Sequence, residues 1–243
     1  MGQLEASIQA NYDCIQEKVR QAAESTGRTA GEICTVVVSK FQTIEVIRAA
    51  YSVGIRTFGE NYPQEADQKI RQLEDLEGLE WHMIGHLQSR KSAMIAHNFQ
   101  MIHSIDSLKH AQKLDAALKN ENKKMPALLE MNVGGEESKF GWKADKQADW
   151  EKLLPEITWV LQLPNLMVKG LMAMPPLTDR PEFSRSYFQC LYQIRDFLNR
   201  QFPDASFSIL SMGTSSDFEV AIQEGATMVR IGQAILGPRP TQI

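Results

Sequence analysis

The sequence predicts an α/β fold, a single (β/α)8 TIM barrel, and three observations support this prediction. Eight short apolar runs suited to strands alternate with polar, helix-favouring segments along the chain. Strict alternation requires crossover connections and therefore a parallel sheet. Eight is also the strand number at which a barrel interior just fills with side chains. The length of 243 residues matches the roughly 250 that are typical of such a barrel.

The predicted elements follow one another from the N-terminus. Residues 3–24 place apolar side chains at steps of three or four, the period of one helical face. The segment ICTVVVSK (33–40) is β-branched and almost wholly apolar, as expected of a strand buried on both faces. Further strands are predicted at 55–60, 80–85, 99–106, 127–133, 166–174, 206–212 and 227–232. Helices are predicted between them at 44–53, 63–75, 88–97, 107–121, 145–162, 182–201 and 216–224.

The segment after the predicted eighth strand is short, because only 11 residues follow Gly232. That length is too short for a full covering helix. We therefore expect the N-terminal helix, within residues 1–27, to pack on the barrel over this gap. No Pro-, Gly- or Ser-rich linker divides the sequence, which favours one domain spanning residues 1–243.

The composition excludes several classes of protein. Lys and Arg number 26 against 30 Asp and Glu, the net charge is −4, and no basic block exceeds two residues. Neither a nucleic acid nor an anionic membrane is therefore the expected partner. Three cysteines without CxxC spacing indicate neither a disulfide framework nor a zinc site. No apolar run approaches the ~18 residues of a membrane span, and a cytoplasmic protein is expected.

The loops after strands seven and eight are where such barrels commonly bind phosphate. After the seventh strand the chain reads SMGTSSDFE (211–219), a small, hydroxyl-rich turn before a helix. Its hydroxyls and unhindered backbone N–H groups suit an anion, and an ordinary helix-capping turn fits the same residues about equally well. After the eighth strand, Gly232 would let a backbone N–H approach the same anion. The candidate residues of the turn are Ser211, Gly213, Thr214 and Ser215.

Two basic residues mark the predicted barrel mouth. Arg230 lies within the eighth strand, where an unpaired charge is costly, and a buried ion pair is the structural alternative. Lys40 ends the neighbouring first strand. A partly buried Lys beside another cation has a lowered pKa, so its amine can lose a proton and attack an aldehyde. Such a Lys with a phosphate site beside it suits pyridoxal 5′-phosphate, whereas a Lys at a strand end more commonly just marks the boundary with solvent.

Other residues at strand ends have less distinctive roles. Asn61 could hydrogen-bond a ring hydroxyl or cap a helix. Met174 is a candidate contact for a flat ring and fits a core position equally. His82 and His86 are four residues apart in a predicted strand and turn without an evident third ligand. We therefore reject a metal site and interpret His82 as a satisfied core histidine, or as a group that supports the site from behind, rather than as a general base.

Seven segments of the chain form a recognisable series in a fixed order. They are VVVSK (36–40), FGENYPQEADQK (58–69), WHMIGHLQSRK (81–91), EESKFG (136–141), GLMAMPP (170–176), LSMGTSSDFEVAI (210–222) and VRIGQAILG (229–237). Together they resemble the pyridoxal phosphate homeostasis protein family, over residues 33–238. The chain departs from the family pattern in Phe41-Gln42-Thr43 after the Lys, in Gly-Thr-Ser where Gly-Met-Ser is common, and in LQSRK for LQSNK.

The resemblance implies a barrel like the N-terminal domain of alanine racemase, with pyridoxal 5′-phosphate held as a Schiff base on Lys40. It implies that the phosphate meets the turn from Ser211 to Ser216 together with Gly232. It also implies that Arg230 faces the pyridine nitrogen and that Asn61 lies near the cofactor.

A carrier and an enzyme could share such a site. Pyridoxal enzymes use the cofactor as an electron sink, which works best when a carboxylate keeps the ring nitrogen protonated. An Arg, whose pKa is above ~12, would leave that nitrogen neutral. Alanine racemase resembles this arrangement and draws a further base from a second domain, which we do not expect here. The leading prediction is a monomeric carrier in vitamin B6 and amino/keto acid homeostasis, without robust turnover and with pyridoxal phosphate-dependent apoenzymes as candidate recipients.

Two alternatives stay open. One is an amino acid racemase or related pyridoxal enzyme that uses Lys40 with Tyr62 or His82. The other is a phosphate-binding barrel enzyme of sugar or indole metabolism, in which Lys40 only binds phosphate. That reaction needs a carboxylate acid/base pair at strand ends, for which Glu60 and Glu130 are the evident candidates.

Overall fold

The computed structural model describes residues 2–176 and 178–240, and its centre is a closed parallel barrel. The strands are β1 (Cys34–Val38), β2 (Thr57–Glu60), β3 (Glu80–Met83), β4 (Met101–Ile105), β5 (Met125–Asn132), β6 (Leu166–Met172), β7 (Ile209–Ser211) and β8 (Met228–Ile231). Each strand pairs in parallel with its neighbours in chain order, and the pairing of β1 with β8 completes the ring. The predicted fold class is confirmed. A two-residue strand, Trp142–Lys143, adds to the end of β5 and was not predicted.

Helices surround the barrel on its outer side. They are α1 (Gln3–Glu24), α2 (Ile44–Ser52), α3 (Pro63–Gln72), α4 (Ser92–Asn98), α5 (Leu108–Asn120), α6 (Leu154–Leu161), α7 (Arg185–Gln201), α8 (Phe218–Gln223) and α9 (Gln233–Leu236). Three of them begin later than predicted, because 3-10 turns at 89–91, 147–153 and 181–184 precede α4, α6 and α7. Among the helices that the structure describes, none combines the length and the apolar character needed to cross a lipid bilayer.

The first helix covers the barrel next to β8. α1 buries the face that carries Ile8, Ile15 and Val19, and it packs against α8, α2 and the short α9. The amide of Asn11 donates a hydrogen bond to the carbonyl oxygen of Ile235 in α9, at 3.1 Å. α1 therefore lies where the shortage of chain after β8 predicts it, and α9, which the sequence did not predict, shares the coverage.

Most strand residues are buried, as expected where helices cover a parallel barrel. Every residue of β4 is buried, including the polar His103 and Ser104. Other buried polar side chains near the carboxyl ends of the strands are Glu60, Ser211 and Arg230. Burying a polar group is costly without a partner. These residues are therefore candidates for a functional site.

Gly170 of β6 pairs with Ile209 of β7 and lies against its backbone. A Cβ atom at this position would overlap the carbonyl oxygen of Ile209, which belongs to the backbone and cannot rotate away. We expect Gly170→Ala to lower the free energy of unfolding by about 1–3 kcal/mol, as overpacked sites do. Urea denaturation measures the change. Gly31→Ala is the control, because its nearest neighbour, the hydroxyl of Thr29, lies 4.0 Å from the added carbon. Equal midpoints for the two variants would contradict the prediction.

Candidate functional site

A cavity of about 240 Å³ opens at the carboxyl ends of the strands. It collects side chains that are far apart in the chain, from the ends of β1 and β2 to the segments after β6, β7 and β8. Seven of the nine predicted cofactor residues line it: Lys40, Asn61, Met174, Thr214, Ser215, Arg230 and Gly232. The other two, Ser211 and Gly213, lie behind this lining and support it.

Lys40 is presented to the cavity by an unusual turn. The next residue, Phe41, has a φ of 62°, a left-handed conformation that non-glycine residues seldom adopt. Its backbone N–H donates a hydrogen bond to the Glu65 carboxylate at 2.5 Å. Burial lowers the pKa of Lys40, and the nearby Arg239 lowers it further. A lower pKa leaves more of the amine unprotonated at neutral pH, which is the form that attacks a carbonyl carbon.

A buried ion cluster lies beneath this turn. The ammonium of Lys69 contacts the carbonyl oxygen of Ser39 at 2.7 Å, the Glu60 carboxylate at 2.7 Å and the Glu65 carboxylate at 2.6 Å. Lys69 is 6% exposed and Glu60 is 0% exposed. Burial raises the pKa of Glu60, while Lys69 opposes this effect. The cluster links α3 to the turn, so it holds the backbone that carries Lys40.

Arg230 is buried at the base of the cavity. It is 4% exposed, and its guanidinium donates to the hydroxyl of Ser211 at 2.7 Å and to the carbonyl oxygen of Ala173 at 3.0 Å. No carboxylate pairs with it in residues 2–176 and 178–240, so the ion-pair alternative is wrong for this residue. Burial lowers the pKa of Arg230 to about 10, so the side chain still carries its charge at neutral pH.

A directed chain of hydrogen bonds leads away from Arg230. The Ser211 hydroxyl accepts from Arg230, so its own proton is free to be donated to Nδ1 of His103, 2.9 Å away. Nε2 of His103 is then the protonated nitrogen and donates to Nδ1 of His82 at 3.1 Å. Burial lowers the pKa of His82 to about 4 and that of His103 well below its usual value, so both rings are neutral. The interpretation of His82 as a satisfied core histidine is confirmed.

The turn after β7 has the features of both roles that the sequence left open, a helix-capping turn and an anion-binding turn. Its capping interactions are present, since the backbone N–H and the hydroxyl of Thr214 both donate to the Asp217 carboxylate, at 2.7 and 3.1 Å. The backbone N–H groups of Ser215 and Ser216 have no acceptor within the described part of the chain. Gly213 has a φ of 90°, and a Cβ there would lie 2.9 Å from the Cα of Phe218. The turn therefore requires glycine and keeps two donors free for an anion.

Two further features suit an anionic ring compound in the cavity. The side-chain oxygen of Asn61 is buried and has no hydrogen-bond partner among the described residues, so it can accept a bond from a ligand. Gly232 leaves space in the cavity that a side chain would fill. A Cβ atom at this position would lie 3.1 Å from the carbonyl oxygen of Val38. With the free donors of the turn and the amine of Lys40, these residues fit pyridoxal 5′-phosphate.

The residues of the two alternative enzymes do not meet at this cavity. Tyr62 is 47% exposed, packs on the ring of Phe41 with the centroids 5.3 Å apart, and lines a neighbouring cavity. Glu60 forms a buried ion pair with Lys69 and does not line the cavity. Burial raises the pKa of Glu130 to about 7, yet this residue does not line the cavity of Lys40 either.

Several cavity residues were missed from the sequence. Arg239 is the most important, because it adds a second cation to the cavity and lies close to Gly232. Its position in the short segment after the eighth strand, a common phosphate-binding place, was the available signal. The other missed residues are Val38, Ile84, Gln233 and Ala234.

Comparison with known proteins agrees with this arrangement. The family model described as "Alanine racemase, N-terminal domain" matches residues 7–240. A pyridoxal phosphate homeostasis protein of Aquifex aeolicus is 40% identical over 227 residues, which cover 93% of this chain and 95% of the relative. The Escherichia coli K12 protein of the same name is 37% identical over 234 residues, with 96% and 97% coverage. The chain belongs to the pyridoxal phosphate homeostasis protein family.

Solved structures place this family member among related barrels. PipY of Synechococcus elongatus, solved with PLP bound, is 33% identical with a TM-score of 0.77, covering 90% of this chain and 99% of that one. Alanine racemase of Clostridium difficile is 14% identical with a TM-score of 0.65 and covers 98% of this chain but 58% of its own. The second likeness shows the fold alone. The predicted family and the predicted resemblance to the alanine racemase barrel are confirmed.

Proposed function

We propose that this chain binds pyridoxal 5′-phosphate and acts in intracellular vitamin B6 and amino/keto acid homeostasis. The observation that carries the proposal is the convergence on one cavity of a Lys with a lowered pKa, a buried Arg and a turn with free backbone donors. PipY, described as having PLP bound, and the relatives named pyridoxal phosphate homeostasis proteins support it.

Each side chain has a proposed role toward the cofactor. The amine of Lys40 would hold the cofactor by condensing with its aldehyde carbon, with release of water. Thr214, Ser215 and Gly232 hold the phosphate, with Ser211 and Gly213 supporting the turn from behind. Asn61 accepts a hydrogen bond from the ring hydroxyl, and Met174 packs on the ring. Arg230 faces the ring nitrogen and keeps it unprotonated.

The proposed role is that of a carrier without robust turnover. The cofactor supplies an electron sink when it is bound, and a cation beside its ring nitrogen weakens that sink. None of Tyr62, His82, Glu60 and Glu130 lines the cavity as a general base. A racemase needs such a base, so this observation favours the carrier. We further propose a monomeric, single-domain, cytoplasmic protein that hands its cofactor to pyridoxal phosphate-dependent apoenzymes.

Borohydride trapping tests the proposed function directly. Purified protein is incubated with pyridoxal 5′-phosphate, reduced with borohydride and digested for mass mapping. We expect a pyridoxyl adduct on Lys40 and its loss in Lys40→Ala. Lys124→Ala is the control, because Lys124 is exposed at the opposite end of the barrel, before β5. Wild-type protein that takes up no cofactor, or an equal adduct in Lys40→Ala, would overturn the assignment.

Proton exchange separates the carrier from the racemase. Loaded protein is incubated in heavy water with a panel of amino acids, and deuterium at Cα is followed by NMR. We expect no incorporation above that of free pyridoxal 5′-phosphate. Incorporation at rates of about 1 per second or faster, which are typical of enzymes, would defeat the carrier proposal.

A further inference from the structure

Two histidines and an aspartate meet beside the proposed cofactor cavity. His86 follows β3, Asp106 follows β4, and His110 lies in the first turn of α5. The two Asp106 oxygens lie 2.6 Å from Nδ1 of His110 and 3.1 Å from Nδ1 of His86. One ligand atom from each residue can be chosen so that all three lie within 4.8 Å of one another. The three donors therefore already surround a common point.

Asp106 is a buried carboxylate with few polar partners. Its side chain is 5% exposed, and within residues 2–176 and 178–240 no Lys or Arg pairs with it. Only the two histidines and the hydroxyl of Ser107 contact it. A carboxylate is costly to bury without a cation beside it, so a metal ion bound here would stabilise Asp106.

His86 is held in place and has an unused nitrogen. Its ring stacks on Phe140, with the centroids 3.5 Å apart and the planes at 13°. Its Nδ1 is buried and makes no hydrogen bond, although Asp106 is near. The same side chain is 27% exposed and lines the neighbouring cavity with Asn61 and Gln88. The cluster thus combines a ring nitrogen that makes no hydrogen bond with an approach from solvent.

We propose that His86, Asp106 and His110 form a binding site for a divalent transition metal ion, and that Zn²⁺ is the ion it fits. Two imidazole nitrogens and one carboxylate oxygen are a donor set that zinc accepts, with the fourth position left to water. Ions that prefer oxygen ligands alone, such as Mg²⁺ and Ca²⁺, do not match two imidazoles. The proposal differs from the rejection of a metal from the sequence, which considered His82 with His86. His82 lies in the barrel core, and the proposed partners of His86 are Asp106 after β4 and His110 in α5.

The site is tested with zinc alone, without pyridoxal 5′-phosphate, so the result does not depend on the proposed function. Full-length protein carrying Cys14→Ser, which removes an exposed thiol, is dialysed against Zn²⁺ and its metal content is measured. We expect one tightly held zinc per chain. We expect His110→Gln and Asp106→Asn to weaken zinc binding at least ~10-fold, the lower end of what even an outer-shell change costs.

The matched control is His97→Gln. His97 and Glu121 form a histidine–carboxylate pair at 3.2 Å on the exposed surface, without a third donor in the described residues. This variant should bind zinc as the parent does. Visible absorption of bound Co²⁺ gives a second readout, with a tetrahedral spectrum expected in the parent and lost in His110→Gln. Circular dichroism checks that each variant is folded.

Two results would overturn the site. One is a parent protein that holds no zinc. The other is equal zinc binding by the parent, His110→Gln and Asp106→Asn, which would assign the metal to other residues.

Discussion

Replacing Lys69 by Met is expected to lower the free energy of unfolding by about 3–5 kcal/mol, the cost of breaking a buried ion pair by removing one partner. The ammonium is the cation that contacts Glu60, whose side chain is fully buried, and one oxygen of that carboxylate already lacks a partner. Without Lys69, a buried negative charge remains, and the carbonyl oxygen of Ser39 keeps only the hydrogen bond from the backbone N–H of Gln42. Chemical denaturation measures the change.

A double variant isolates the charge as the cause. Lys69→Met combined with Glu60→Gln removes both charges, and we expect it to recover most of the lost stability, because replacing both partners of a buried pair is often close to neutral. Arg48→Met is the matched control for an exposed pair. Arg48 and Asp75 are 2.6 Å apart with side chains 41% and 61% exposed, so this change should cost at most about 1 kcal/mol. Equal destabilisation by Lys69→Met and Arg48→Met would contradict the argument.

The same cluster connects stability to the cofactor cavity. Ser39 and Phe41 flank Lys40, and their backbone groups bond Lys69 and Glu65 respectively. The left-handed turn at Phe41 costs about 1–3 kcal/mol and persists only where its surroundings hold it. Lys69 is therefore a positioning residue for Lys40, and its loss should also reduce the yield of the borohydride-trapped adduct.

The barrel could be predicted because its determinants are local and repeated. Strands buried on both faces read as apolar runs, and the helices between them have a different period, so their alternation is visible in the sequence. Boundaries depend on non-local contacts and were less accurate. The seventh strand was predicted at 206–212, yet β7 is three residues long. The backbone N–H of Phe207 bonds the side chain of Asn199 in α7 instead of a neighbouring strand.

The candidate site could be predicted only where a residue type and a strand end coincide. Lys40, Arg230 and the turn at 211–216 met this condition. Lys69 did not, because its role depends on a cluster assembled from β2 and α3. Asp106 and His110 are only four residues apart, but they were not recognised because their partner His86 comes from a different strand end. Asn61 lines both the cavity of Lys40 and the neighbouring one, whereas Tyr62, the next residue, lines only the neighbouring one.

The second large effect concerns the ring nitrogen of the proposed cofactor. We expect Arg230→Gln to weaken retention of pyridoxal 5′-phosphate about 10- to 100-fold, the range that corresponds to one lost hydrogen bond of a charged group. The fold should remain intact. Unlike Lys69, Arg230 has no carboxylate partner among the residues that the structure describes, so its removal leaves no buried carboxylate without its cation.

The same variant should change how the bound cofactor titrates. A guanidinium beside the ring nitrogen disfavours its protonation and lowers its pKa, so replacing Arg230 by neutral Gln raises that pKa. The absorption of the loaded variant should therefore shift with acidification at a higher pH than that of the parent. Arg56→Gln is the control, because Arg56 is exposed at the amino end of β2, on the opposite side of the barrel. Retention and a pH titration equal to those of the parent in Arg230→Gln would remove Arg230 from the site. Weaker retention with an unchanged titration would instead assign Arg230 to the phosphate.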